Sequence, residues 1–185
     1  MVLQWPAADK LYAEFREQAA MTVFFTADTH FHHAGAIGFY RRPFASAADM
    51  DAAMLARWNE AVGPGDEVWH LGDFALRLAA EPAGALLRQL HGRKHLVTGN
   101  NDPPEIAALP GWASVQAYAE ILLDGTRLVL CHYPFRTWNG LARGALNLHG
   151  HSHGRLKPVP RQIDVGVDVW GFRPVTLAQL RAGPG

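Results

Sequence analysis

The chain has 185 residues, enough for one domain that buries roughly 70% of its unfolded surface around a core without disulfide support. Lys plus Arg and Asp plus Glu each total 17, so no net charge draws the protein onto nucleic acid or an anionic membrane, and an anionic substrate must be captured locally. The one cysteine, Cys131, lies in the apolar run RLVLC, and no stretch nears the ~18 apolar residues of a membrane span, so a soluble, cytoplasmic protein with no membrane contact is expected.

In chain order, residues 7–20 read as an amphipathic helix with Leu11 and Phe15 four apart. Residues 1–20 are thus expected to be an N-terminal helical extension, either docked on the domain or upstream of a start at Met21, and residues 21–185 the main domain. MTVFFTAD is a strand. RPFASAADMDAAMLARWNEAVG is a helix with Ser46 as its cap, Asp49 completing a capping box, Met50, Met54 and Trp58 on one face and Gly63 as its stop. The strand DEVWHLGD, the helix PAGALLRQLHG and the strand KHLVTGNND follow. AYAEILL and TRLVLCHYP, joined by Asp124-Gly125, read as a hairpin, since Asp-Gly suits a two-residue primed turn. Strands at ALNLHG and RQIDVGVDV precede a closing helix at VTLAQLRAG. This order predicts an α/β domain built on sheets.

Ten histidines are present, concentrated in THFHH, CHY and LHGHSHG. Asp28, His30, Asp73, Asn100, Asp102, His132, His151 and His153 each follow an apolar strand. Strand ends are where α/β sheets gather ligands, because the loops leaving them converge on one edge. The donors are nitrogen and oxygen without thiolate, a set suited to divalent Mn, Fe, Zn or Ni ions rather than Ca, and they are enough for two ions sharing a carboxylate. Two metals ~3.5–4 Å apart clamp the attacking and leaving oxygens of a phosphoryl displacement. The Asp-x-His and His-x-His spacings are expected to place both side chains on one side of an extended segment.

The ordered series Asp28-x-His30, Gly72-Asp73, Gly99-Asn100-x-Asp102, His132 and Gly150-His151-x-His153 resembles the calcineurin-like metallophosphoesterases. TADTHFHHAGAIGFYRRPF and VWHLGDFAL resemble its compact bacterial and phage-type branch. The resemblance implies two facing mixed β-sheets flanked by helices, a four-layer sandwich. It implies one ion held by Asp28, His30, Asp73 and His153 and a second by Asp73, Asn100, His132 and His151, with Asp73 bridging and manganese the favoured metal. The implied reaction is in-line attack of a metal-bridging hydroxide on a phosphomonoester or phosphodiester, with Asp102 orienting a catalytic or ligand group.

One position departs from the pattern. Asn101 stands where many members carry histidine, and a neutral amide donates a hydrogen bond but is no general acid near pH 7. His32 or His33 could supply the leaving-group proton, with His33 preferred; a metal-bound water could do so instead, or the substrate could carry a leaving group acidic enough to depart unaided. Arg41 and Arg42 could offer donors to a substrate phosphate. Asp164 and Asp168, flanking Gly166, are candidate acceptors for a ligand histidine's second nitrogen. A small nucleotide-like phosphoester is the favoured substrate, with no obligate protein partner. A metal-dependent nuclease and a non-catalytic binding module on the same fold are the alternatives.

Overall fold

The computed structural model describes residues 21–184, so the helix expected over residues 7–20 lies outside the described residues. In chain order the elements are β1 (Val23–Thr26), α1 (Ala34–Tyr40), α2 (Ala47–Ala61), β2 (Glu67–His70), α3 (Ala80–Gln89), β3 (Arg93–Val97) and α4 (Pro104–Ala107). There follow β4 (Trp112–Gln116), β5 (Ala119–Leu123), β6 (Thr126–Leu130), β7 (Leu146–His149), β8 (Gln162–Asp164), β9 (Val175–Thr176) and α5 (Leu177–Ala182).

Two mixed sheets result, with strand orders β4-β3-β2-β1-β9 and β5-β6-β7-β8. In the first, β1 to β4 are parallel and β9 runs against β1. In the second, β6, β7 and β8 are parallel and β5 runs against β6. Side-chain alternation along β1 explains the layering. Phe24 joins Met50, Met54, Trp58, Val68 and Leu87 between the first sheet and its helices. Phe25 faces the other way, into an apolar layer between the sheets with Leu71, Val97, Leu128, Leu130 and Leu148. Over Val129, on the other side of the second sheet, pack Trp138, Ala145 and the one-turn 3-10 helix Leu141–Arg143.

The strongest local signals match the elements that form. The Asp49 amide donates to Ser46 Oγ at the start of α2, and Met50, Met54 and Trp58 are its buried face. Asp49 does not close a capping box, because its carboxylate accepts from the Ser46 hydroxyl rather than from the Ser46 amide. A full box forms instead at α5, between Thr176 and Gln179. Asp124 and Gly125 both have positive φ, 49° and 72°, as the β5–β6 turn requires. Helix α1 and strand β4 were not anticipated: AGAIGFY has two glycines and no side-chain cap, and WASVQ alternates only between half-buried and exposed positions.

Parallel strands turn all their C-terminal ends to one edge, and the two sheets meet there. Ala27, just after β1, bridges to Gly166, just beyond β8, and the Val167 amide donates to the Ala27 carbonyl at 3.0 Å. Beneath this junction His70 is buried completely. Thr29 Oγ1 donates to the Phe74 carbonyl at 2.8 Å and so accepts from His70 Nε2 at 2.9 Å, leaving His70 Nδ1 unprotonated and without a partner.

Burial lowers the His70 pKa from 6.5 to about 3. The folded state therefore refuses a proton that the unfolded state takes up below about pH 6.5, so stability falls as pH drops through that window and is unaffected above it. The slope is about 1.4 kcal/mol per pH unit for one such group. His70→Gln, which keeps a donor for Thr29, is expected to flatten the fall; urea melts at pH 7 and pH 4.5 that decline equally in both proteins would contradict this.

Candidate metal centre

The residues at this edge are held by close backbone approach. Gly72 has φ +92°, and a Cβ on it would stand 2.6 Å from both the Gly99 amide nitrogen and His132 Nδ1. Gly99, by contrast, does not have a positive φ; a Cβ there would stand 2.6 Å from the Asp73 nitrogen, so glycine is required for clearance rather than for a turn. Asp102 closes the same loop: its Oδ2 accepts from the Asp73 and Gly99 amides and its Oδ1 from the Phe74 amide, each at 2.8 Å. Asp102 thus faces backbone donors and ties the loop after β3 to the one after β2.

Among the described residues, five of the eleven non-glycine residues with positive φ are Asp28, His30, Asp73, His151 and His153. This corrects the expectation of extended Asp-x-His and His-x-His segments. The side chains converge from left-handed turns, a conformation that costs non-glycine residues energy and persists where the surroundings over-determine it.

Asp28, His30 and His153 form one group and Asp28, Asp73 and His132 another, each with ligand atoms within 4.8 Å of one another. His30 Nε2 lies 3.5 Å from Asp73 Oδ2, and His132 Nε2 lies 3.6 Å from Asp73 Oδ1. The Asp73 carboxylate therefore points one oxygen towards each histidine. His153 Nε2 is 4.0 Å from Asp28 Oδ1. Both Asp28 oxygens accept from the His151 amide, at 3.1 and 2.9 Å. Asn100 is exposed, with its Oδ1 3.0 Å from His132 Nε2. His151 is exposed beside the His132 ring, with centroids 5.1 Å apart.

Three observations fit this set to divalent ions. The Nδ1 atoms of His132 and His153 donate to the Leu71 carbonyl at 2.8 Å and to Asp168 Oδ2 at 2.7 Å. Each Nε2 is left as a lone pair aimed at the carboxylates, the arrangement outer groups impose on metal-binding histidines. Both ring nitrogens of His30 are buried without a hydrogen-bond partner, and burial lowers its pKa to about 3, so it stays neutral. Burial, then the nearby Asp164 and Asp73 charges, raise the Asp28 pKa well above the ordinary carboxylate value, as expected of negative charge gathered without its counter-ion.

The supports lie one layer out. Arg42 is 4% exposed, and all five of its donors are engaged. Nε and Nη2 grip Asp168 at 2.9 and 2.8 Å; Nη2 also reaches the Asp28 carbonyl, and Nη1 the Thr29 carbonyl and Met50 sulfur. The expectation that Arg42 offers a donor fork to substrate is therefore corrected: it anchors Asp168, which orients His153. Arg41 is exposed at the C-cap of α1. Asp164 accepts from the Ser152 hydroxyl and the Gly154 amide at 2.6 and 2.8 Å, bracing the loop that carries His151 and His153.

Asn101 turns inwards. Its amide nitrogens reach the Asp73 carboxylate, backbone N to Oδ1 at 2.8 Å and Nδ2 to Oδ2 at 2.7 Å. His33 lies at the rim with its ring 5.5 Å from that of His30. Partial burial, then the Arg77 and Arg42 charges, lower its pKa. Sequence reasoning missed Tyr40, whose ring stacks on His153 with centroids 3.4 Å apart and planes at 11°. The block GFYRRPF holds it, but no spacing marks which aromatic turns to the site.

Relatives can now be set beside this geometry. An uncharacterised protein of Methanocaldococcus jannaschii is 29% identical, over 84% of this chain and 86% of its own length. The gene 66 protein of Mycobacterium phage D29 is 33% identical, over 80% of this chain and 88% of its own. The crystal structure of a protein of unknown function from Aquifex aeolicus superposes with a TM-score of 0.69 at 22% identity, covering 88% of this chain and 98% of that one, and so shares the fold. The calcineurin-like phosphoesterase superfamily domain matches residues 21–170, which span every candidate ligand, and the chain belongs to that superfamily.

Proposed function

We propose that the chain is a metal-dependent phosphoric ester hydrolase acting on a small phosphomonoester or phosphodiester of nucleotide-like size. The observation that carries this reading is the pair of histidines, His132 and His153, whose Nδ1 atoms are committed to Leu71 and Asp168 while their Nε2 lone pairs face buried carboxylates. In this reading Asp28, His30, Asp73 and His153 hold one divalent ion, and Asp73, Asn100, His132 and His151 the other. The split of the Asp73 oxygens between His30 and His132 supports Asp73 as the shared ligand. Bound at such a site, two ions supply Lewis acidity towards phosphoryl oxygens and lower the pKa of water towards neutrality. Manganese is the preferred pair, with iron, zinc and nickel compatible with the same donors.

The chain's own residues then position and exclude. Asn101 holds Asp73, with its second amide hydrogen left for a substrate oxygen. Phe39 is 66% exposed against His33, and Tyr133 is 46% exposed against His132 and His151. These two aromatics, on either flank of the cluster, support a substrate with a flat ring attached to its phosphate. His33, at the rim beside His30, is the proposed proton donor to the leaving group, and its lowered pKa means that this contribution falls as pH rises.

Two experiments test the reading. Asp73→Asn is expected to lose bound manganese, measured by elemental analysis after dialysis, and to lose hydrolysis of p-nitrophenyl phosphate with it. Full metal content together with full activity would sink the shared-ligand assignment. His33→Ala is expected to lower turnover on an alkyl phosphate ester by about a hundredfold and on p-nitrophenyl phosphate far less, because nitrophenolate leaves without a proton. Equal losses on both substrates would remove His33 from the proton-donor role.

A further inference from the structure

The parallel strands of the second sheet have another edge. Around the starts of β6, β7 and β8, with the end of α5, lies an open cleft of about 510 Å³ lined by Arg127, Arg143, Arg161 and Arg181 over Leu122 and Ile163. His132 is six residues beyond Thr126 along β6, so about 20 Å of strand separates this cleft from the metal centre.

The charge there is one-sided. Among the described residues no carboxylate lines the cleft. Glu120, outside the lining, binds Arg127 Nη1 at 2.7 Å and fixes that side chain. Arg161 Nη1 donates to the Leu141 carbonyl at 2.7 Å, and Arg181 Nη2 to the Thr126 hydroxyl, so each is positioned by one neutral acceptor and keeps its charge unpaired among the described residues. Arg143 has no side-chain acceptor among the described residues and is exposed. In a protein with equal numbers of acidic and basic residues, three guanidiniums without a carboxylate partner among the described residues, Arg143, Arg161 and Arg181, drawn to one cleft beside the Arg127–Glu120 pair, are a local anion trap. Beneath the arginines lie Ile163 and the buried Leu180, low-dielectric material that screens their charges less than water does. Guanidinium is the group that pairs with phosphate through two parallel donors, and the volume is that of a small-molecule site rather than of a single oxyanion.

We propose that this cleft is a second, non-catalytic binding site for an anion carrying consecutive phosphates. Three unpaired charges on separate segments match a ligand whose negative charge is spread over several groups. A free oligophosphate and a short stretch of nucleic-acid backbone share that chemistry.

The test titrates inorganic tripolyphosphate into the full chain by calorimetry, with and without a metal chelator, so that phosphate held at the metal edge is told apart. Binding at one site that survives chelation is expected, about tenfold or more tighter than orthophosphate. Arg143→Glu combined with Arg161→Glu is expected to weaken it about tenfold or more, with hydrolysis of p-nitrophenyl phosphate unchanged. Arg143→Ala removes only an exposed side chain without a protein partner, and is expected to weaken binding measurably while the melting temperature holds. A thymidylate oligonucleotide that displaces tripolyphosphate identifies nucleic-acid backbone as a source; one that does not leaves the free oligophosphate. Orthophosphate binding as tightly as tripolyphosphate, or variants that bind like the parent protein, would overturn the proposal.

Discussion

The structure turns on holding carboxylates where water cannot reach them. Asp28 and Asp73 are buried at the seam between two sheets, Asp28 with one protein donor on its carboxylate and Asp73 with two. The His151 amide serves Asp28, and the Asn101 backbone and side chain serve Asp73. A buried charge without such partners costs several kcal/mol, so the loops that bring these donors are fixed by the carboxylates as much as the carboxylates are fixed by the loops. The clearances at Gly99 and Gly150 follow from the same demand, because a methyl group there would press on the Asp73 or the Asp28 carboxylate, while one at Gly72 would strike Gly99 and His132.

Strain is localised at the same place. The candidate ligands that follow β1, β2 and β7 adopt left-handed backbone, which shortens the path from strand end to cluster and turns successive side chains inward. Two acidic side chains keep those turns in place without entering the cluster: Asp102 binds three amides across the loops after β2 and β3, and Asp164 binds the Ser152–Gly154 turn. Arg42 adds a long-range strut, joining the segment after α1 to Asp168 and through it to His153. The cluster is thus pre-organised by backbone donors and one buried ion pair, which is what a site needs if its ligands are to hold their geometry when empty or filled.

Strand direction separates two chemistries on one sheet. The C-terminal ends of β6 and β7 lead into histidines over carboxylates, whereas their N-terminal ends, with β8 and α5, gather arginines over leucine and isoleucine. Between them β7 is short, buried from Asn147 to His149 and hydrogen-bonded to β6 and β8, so the two edges share one frame.

Much of this was legible in the residue order. Polar ligand types directly after apolar runs marked Asp28, His30, Asp73, Asn100, His132, His151 and His153, and Asp124-Gly125 marked its hairpin, because both signals are local and a strand's end is visible in its own pattern. Helix α1 escaped because its glycines weaken the helical pattern, and Arg42 was misread because its partner lies 126 residues away. By itself, the sequence determined the order of most strands and helices and which residue types reach the strand ends, since these follow from local periodicity and turn residues. Only the tertiary structure decided that Gly99 is there for clearance, that Asp168 orients His153 and that four distant arginines share one cleft. Those are facts of packing between segments, and periodicity along a chain carries no record of them.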